Sequence, residues 1–182
     1  MTAVTTLPFS RPLTYDDLAD LPEDGHRYEL IDGVLIVSPS PQLPHQDMVG
    51  NLYLLLRAAC PAELKVVLAP FDVVLADDTV LIPDLIVVSR AQVTRKNLPG
   101  PPLLAVEVLS PSTRRIDTLL KRDRLQAAGA PSYWLVDPLS VSITVLELDE
   151  GRYREVAHVV GDETCEVLLP YPMTIVPERL LD

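Results

Sequence analysis

A glutamate, Glu107, stands inside the apolar run 103–109, and Asp84 follows Pro83 at the mouth of an equally apolar run, 85–88. An ionised carboxylate inside a core is costly unless it is paired, protonated or bound to metal. A chain that places two of them in strand-like hydrophobic runs is therefore expected to use them. Lys121 comes next, on a helical stretch. Two carboxylates and a lysine are the parts of a metal-dependent phosphodiester-cleaving site: hard oxygen ligands for a divalent ion, and a fixed cation for negative charge developing on phosphate. Each residue also has a plainer explanation. Lys121 can pair with Asp117 four positions earlier, Glu107 can be satisfied by a buried arginine, and Asp84 can cap a strand start. All three being incidental is the weakest explanation.

The elements that must position these groups can be read from periodicity and punctuation. Thr14-Tyr15-Asp16-Asp17 has the form of a capping box and opens a short helix to about Asp20. Residues 27–37 form a hairpin around Asp32-Gly33. After a proline-rich loop at 38–44, apolar residues at helical spacing (Met48, Val49, Leu52, Leu55, Leu56, Ala59) predict an amphipathic helix from His45, ended by Pro61. Runs 65–68, 71–75, 81–88 and 103–109 read as strands, the last two buried on both faces. A helix over 114–128 closes at Gly129, with Pro131 beyond. A strand at 133–136 and a hairpin of 141–148 with 153–160 complete the pattern. Strand, helix and returning strand imply one right-handed crossover. The expected class is α/β, a mixed sheet flanked by helices with additional hairpins.

Neighbouring strands lie about 5 Å apart, so Asp84 and Glu107 at matched depth could share one divalent ion. Strand parity puts Glu107 on the face of Leu103, Ala105 and Leu109. Asp117 and Lys121 share a helix face, and flanking Leu120 and Leu125 predict a half-buried lysine stem. A lysine placed there stays charged and can stabilise negative charge or orient a water.

Composition narrows the classes. With 182 residues, 48% hydrophobic, the chain can bury a core as one domain over 1–182, and no apolar run approaches the roughly 20 residues of a membrane span. The first residues lack the basic start and apolar stretch of a secretion signal, so the expected location is the cytoplasm. Cys60 and Cys165 are expected as reduced, buried small hydrophobes. His26, His45 and His158 have no zinc spacing, and Gly129, Gly151 and Gly161 form no phosphate loop. A net charge of −11 disfavours a tight duplex binder and leaves a weak or single-stranded substrate conceivable. The charge is uneven: positions 90–124 carry eight basic residues against Glu107, Asp117 and Asp123, a local excess of +5 within a chain otherwise at −16. A basic stretch flanking an acidic pocket would suit a phosphodiester.

The order Pro83-Asp84, Glu107-Val108-Leu109, then Lys121 on the next helix resembles the PD-(D/E)XK nuclease superfamily. More narrowly, Arg27-Tyr28-Glu29-Leu30-Ile31-Asp32-Gly33, the segment 106–113 and the segment 129–137 resemble the Uma-type restriction endonuclease family of bacteria. The likeness runs over about 14–148, with a C-terminal hairpin and tail over 149–182. It implies a restriction-endonuclease-like α/β core and Mg²⁺- or Mn²⁺-dependent cleavage of nucleic acid, DNA foremost. It also implies Asp84 and Glu107 as metal ligands, Lys121 as the catalytic lysine and Glu29 as a further member of the acidic cluster. Ser110, Arg114 and Arg115 would contact substrate, and His45 would either contact phosphate or substrate or make a helix-start hydrogen bond. One position departs from the pattern: the superfamily's lysine usually lies two residues after the glutamate, where this chain has Leu109. Lys121 must then reach in from the helix. Nucleases that cut both strands commonly pair two sites, so a homodimer is expected. Two alternatives remain: an inactive nuclease-like module using the hairpin 141–160 for dimerisation or partner binding, and a metal-free hydrolase with Asp84 and Glu107 sharing a proton.

Overall fold

A computed structural model describes residues 10–22 and 24–181; the stretch on which the expectation of no secretion signal rests lies outside them as far as residue 9. In chain order the first strands are β1 (Arg27–Ile31), β2 (Val34–Ser38), β3 (Leu64–Leu68), β4 (Asp72–Ala76), β5 (Thr79–Leu81), β6 (Leu85–Ser89) and β7 (Asn97–Pro99). After them come β8 (Leu104–Val108), β9 (Ser132–Asp137), β10 (Ser142–Asp149), β11 (Arg152–Val160), β12 (Cys165–Val167) and β13 (Met173–Ile175). Helix α1 spans Leu43–Ala59; α2, Arg122–Ala128, continues a π-helical segment, Ile116–Lys121. The fold is mixed α/β.

A six-stranded sheet ordered β11-β10-β9-β8-β6-β3 forms the centre, with β8 and β9 parallel across the helical crossover and the other pairs antiparallel. Against it lies a five-stranded sheet, β2-β1-β5-β4-β7. Side chains alternate across each strand, so β8 sends Leu104, Val106 and Val108 into a core with α1, Trp134 and the C-terminal residues Tyr171, Ile175 and Leu180. Its opposite face sends Ala105 into a second core, with Ile31, Val73 and Leu81 of the five-stranded sheet and Leu125 of α2. Glu107 shares that second face.

The local chemistry explains the elements. Asp32 and Gly33 adopt φ of 54° and 75°, the left-handed pair of a tight hairpin turn. Gly33 has a second reason: a Cβ there would collide with Pro12, whose neighbour Leu13 donates its amide to the Gly33 carbonyl at 2.9 Å. Asp17 accepts from the Thr14 amide (2.7 Å) and hydroxyl (3.0 Å), although the turn it opens, Tyr15–Asp20, is 3₁₀. Gly129, at φ 82°, ends α2 as expected.

Three expectations need correction. The run 81–88 is two strands in two different sheets. Pro83 has no N–H for a ladder, and the chain crosses between the sheets at Ile82-Pro83-Asp84. Helix α1 begins at Leu43, before His45, because Pro44 is tolerated in a first turn whose amides lack partners anyway. The stretch 114–128 is helical but interrupted by the π segment. Thr118 Oγ1 donates to the Arg114 carbonyl at 2.7 Å. It thereby competes for the acceptor that regular α bonding would give to the backbone amide of Thr118. No helix among the described residues is long and apolar enough to cross a membrane.

Candidate active site

The crossing between the sheets exposes backbone groups that the ladders no longer satisfy, and acidic side chains take them. Glu29, on β1, accepts the Ile82 amide at 2.6 Å. Asp84 accepts the Val108 amide at the end of β8 at 2.9 Å. Arg27 lies two residues before Glu29, on the same face of β1, and donates to both the Ile82 carbonyl (3.1 Å) and Asp84 Oδ1 (2.9 Å). His45, in the first turns of α1, places Nε2 3.1 Å from Asp84 Oδ2. The β6–β8 register pairs Leu85 with Val106, so one step further puts Asp84 opposite Glu107.

Lys121 completes the cluster from the helix. Its Nζ lies 2.9 Å from Glu107 Oε1, 2.9 Å from Glu29 Oε1 and 3.4 Å from Asp117 Oδ1. The departure at Leu109 is thus bridged in space. Lys121 is more deeply placed than its flanking leucines suggested: it is only 3% exposed, whereas Leu120 is 43% exposed. The π segment carries both Asp117 and Lys121 inward. Such segments recur at functional sites.

Glu29, Asp84, Glu107 and Asp117 are all buried. Against these four carboxylates stand two fixed cations, Lys121 and Arg27, a formal deficit of two that leaves His45 out of the count. The deficit is divided unequally. Burial pushes the Asp84 carboxyl up, but the His45 hydrogen bond, Arg27 and the Val108 amide together hold it down at about 2. Glu107 goes the other way: burial drives it well above the usual carboxylate range, Lys121 opposes this, and Asp117, Asp84 and Glu29 add to the rise. Asp117 is also raised, chiefly by burial, and its Oδ1 is buried without a hydrogen bond. Burial lowers the Lys121 ammonium, but Glu107, Glu29 and Asp117 outweigh it and hold it charged. A proton or a divalent cation would relieve Glu107.

These groups line a cavity of 340 Å³, rimmed by Pro39, Pro41, Pro111 and Pro138. Ser110 also lines it, its hydroxyl shared with Ser112 (3.0 Å) and Thr113 (2.9 Å). Arg114 and Arg115 do not: Arg114 turns to Asp137 at 2.8 Å and Arg115 faces solvent. The basic stretch as a whole does not flank the pocket, since Lys121 alone of its eight cations lines the cavity. Helical periodicity disperses Arg114, Arg115, Arg122 and Arg124, while Arg90, Arg95 and Lys96 sit in the turn and bends between β6 and β7. Two site residues go beyond the sequence reading: Arg27, which strand parity with Glu29 marks, and Asp117, expected only as a salt-bridge partner.

Among the described residues, no group of three His, Cys, Asp or Glu side chains is arranged to hold a metal by itself. Mg²⁺ seldom requires that: it is commonly held by one or two carboxylates, with water and substrate phosphate completing its shell. The all-oxygen donors Asp84 and Glu107, and the deficit of two charges, fit such an ion.

The sequence matches the Uma2 family, described as "Putative restriction endonuclease", over residues 15–176. The chain belongs to the Uma2 family. The Uma2 match contains every member of the acidic cluster. A solved structure of similar fold is "a putative nuclease belonging to DUF820" from Anabaena variabilis: TM-score 0.72, 21% identity, covering 93% of this chain and 98% of that one. At that identity the likeness shows the fold alone. No curated protein matches the sequence.

Proposed function

We propose that this Uma2 protein is a metal-dependent nuclease that hydrolyses phosphodiester bonds in nucleic acid, with its active site in the cavity between the two sheets. One observation carries the reading: four buried carboxylates converge with Lys121 and Arg27 in an open cavity, formally two cations short of balance. Family membership supports it. Asp84 and Glu107 would hold a Mg²⁺ or Mn²⁺ ion, with Glu29 close by through Lys121. Such an ion supplies a water of lowered pKa and charge for the phosphate oxygens. Arg27 binds the entering phosphate. Lys121, fixed by three carboxylates, keeps its charge and faces the negative charge that grows as water oxygen bonds to phosphorus and the ester oxygen departs. His45 orients Asp84.

The test is cleavage of a panel (supercoiled plasmid, linear duplex, single-stranded DNA and RNA) with Mg²⁺ or Mn²⁺. Glu107→Gln and Lys121→Met serve as blanks. Cutting that needs metal, Glu107 and Lys121 is expected. Cutting that survives EDTA would replace this reading with a metal-free carboxylate pair.

A second reading has its own observation. Glu29 and Asp84 already satisfy backbone amides at 2.6 and 2.9 Å, which a purely structural cluster would also do. An inactive partner-binding module would then show no Mg²⁺ or Mn²⁺ heat in calorimetry.

A further inference from the structure

A second cavity, of 690 Å³, adjoins the first and shares Arg27, His45 and Asp84 with it. Arg27, which would bind the phosphate, and Asp84 with its partner His45 line both cavities. The size lies within the range of small-ligand pockets, roughly 300–1,000 Å³. Its lining is unlike a phosphate track: Arg27 is the sole lysine or arginine, and Tyr28, His26, Pro70, Leu68 and Gln46 contribute rings, apolar surface and an amide. Tyr28 is anchored, its hydroxyl donating to Asp24 at 2.8 Å. The His26 and Tyr28 rings are 6.3 Å apart and tilted by 55°, so they are not stacked on each other.

We infer that this second cavity receives an unpaired nucleobase next to the phosphate bound at Arg27, and that the substrate is single-stranded nucleic acid. The inference deepens the nuclease reading and rests on it for the position of the phosphate. Three observations select this occupant. The cavity adjoins the candidate site across Arg27, so one nucleotide can have its phosphate at Arg27 and its base beside Tyr28. The lining offers aromatic surface, on which any base can stack, together with a glutamine amide able to bond a base edge. The rest of the basic stretch lies elsewhere, and the chain is at −11. Duplex binding depends on many phosphate contacts, which the two cavities, with Arg27 and Lys121 as their lysine and arginine lining, do not offer; stacking on rings needs few.

The test measures binding separately from cutting. Fluorescence anisotropy of Glu107→Gln protein in EDTA is recorded against a labelled single-stranded DNA, the RNA of the same sequence and the corresponding duplex, at one fixed salt concentration. Single strands are expected to bind more tightly than duplex, the two single-stranded arms distinguishing DNA from RNA. Adding Tyr28→Ala is expected to weaken single-strand binding by about five- to a hundredfold, the range for losing one aromatic–base stack. Tyr28→Phe keeps the ring and loses only the Asp24 bond, so it retains binding; this separates stacking from a folding role. Duplex preference, or a Tyr28→Ala protein that binds single strands as before, overturns the inference. Metal-dependent cutting of duplex with either result leaves the nuclease reading standing. Tyr28-sensitive single-strand binding without any cutting leaves the pocket and removes the nuclease. Binding of neither form removes the pocket as well.

Discussion

The two faces of β8 are equally buried but differently filled: one is apolar throughout, and the other carries Ala105 in a second apolar core and then Glu107. On one, Leu104, Val106 and Val108 meet α1 and Trp134. On the other, Glu107 meets Lys121, Glu29 and Asp117. The apolar face gains from removing surface from water, and any well-shaped hydrophobe would serve. The ionic face gains little net stability from its charges, because dehydrating them costs about as much as their attraction returns. On the proposed nuclease reading, the charges stand there for phosphodiester chemistry rather than for stability.

The sharpest way to break this contrast is Lys121→Met. It leaves three buried carboxylates without their shared cation, so we expect loss of cleavage and a destabilisation of about 3–5 kcal/mol in denaturant unfolding. A loss below about 1 kcal/mol would show the carboxylates relaxing or protonating freely. Trp134→Ala, on the apolar side, is expected to cost a similar 3–5 kcal/mol. Its cleavage per folded molecule stays unchanged, measured as activity normalised to folded fraction. Equal activity losses in the two variants would erase the distinction between the faces.

A pH series separates the ionic face further. Asp84 is held at about 2, below its ordinary 3.8, so its contribution is complete above about 3.8 and lost as pH falls through about 2. Glu107 is raised, so its effect has the opposite sign: the metal-free protein loses stability as pH rises through that elevated value. Thermal melts should therefore peak in mild acid. Asp84→Asn flattens the acid limb and Glu107→Gln the upper one; unchanged limbs would show that other groups control them. The smallest effect is expected at Arg114→Ala, which removes a partly exposed pair with Asp137. Stability should change by about 0–1 kcal/mol and cleavage by less than about twofold, since Arg114 lies outside the cavity lining.

Much of this arrangement was legible in the chain because it rests on local rules. Asp32-Gly33 requires its turn, Gly129 its cap, and alternation along β8 sends Glu107 to the face of Ala105 whatever the rest of the fold does. Glu29, Asp84, Glu107 and Lys121 were placed together by resemblance, and the structure brings them together. What escaped depended on partners distant in sequence. The run 81–88 reads as one strand until Pro83 is seen to separate two sheets, and Arg27 gains a role only once Asp84 lies beside it. The C-terminal residues Tyr171, Ile175 and Leu180 carry no strong local pattern, yet they cover the α1 core.

The π segment Ile116–Lys121 makes the site intolerant of a change that local helix physics would welcome. Deleting one residue there would regularise the helix and, judged by backbone bonding alone, improve it. The same deletion would rotate the C-terminal part of the helix by about 100°, one residue's turn of an α-helix, and swing the ammonium off Glu107. The chain carries a slightly poorer helix so that its lysine points the right way, and in that segment the length of the sequence, as well as its letters, encodes the site.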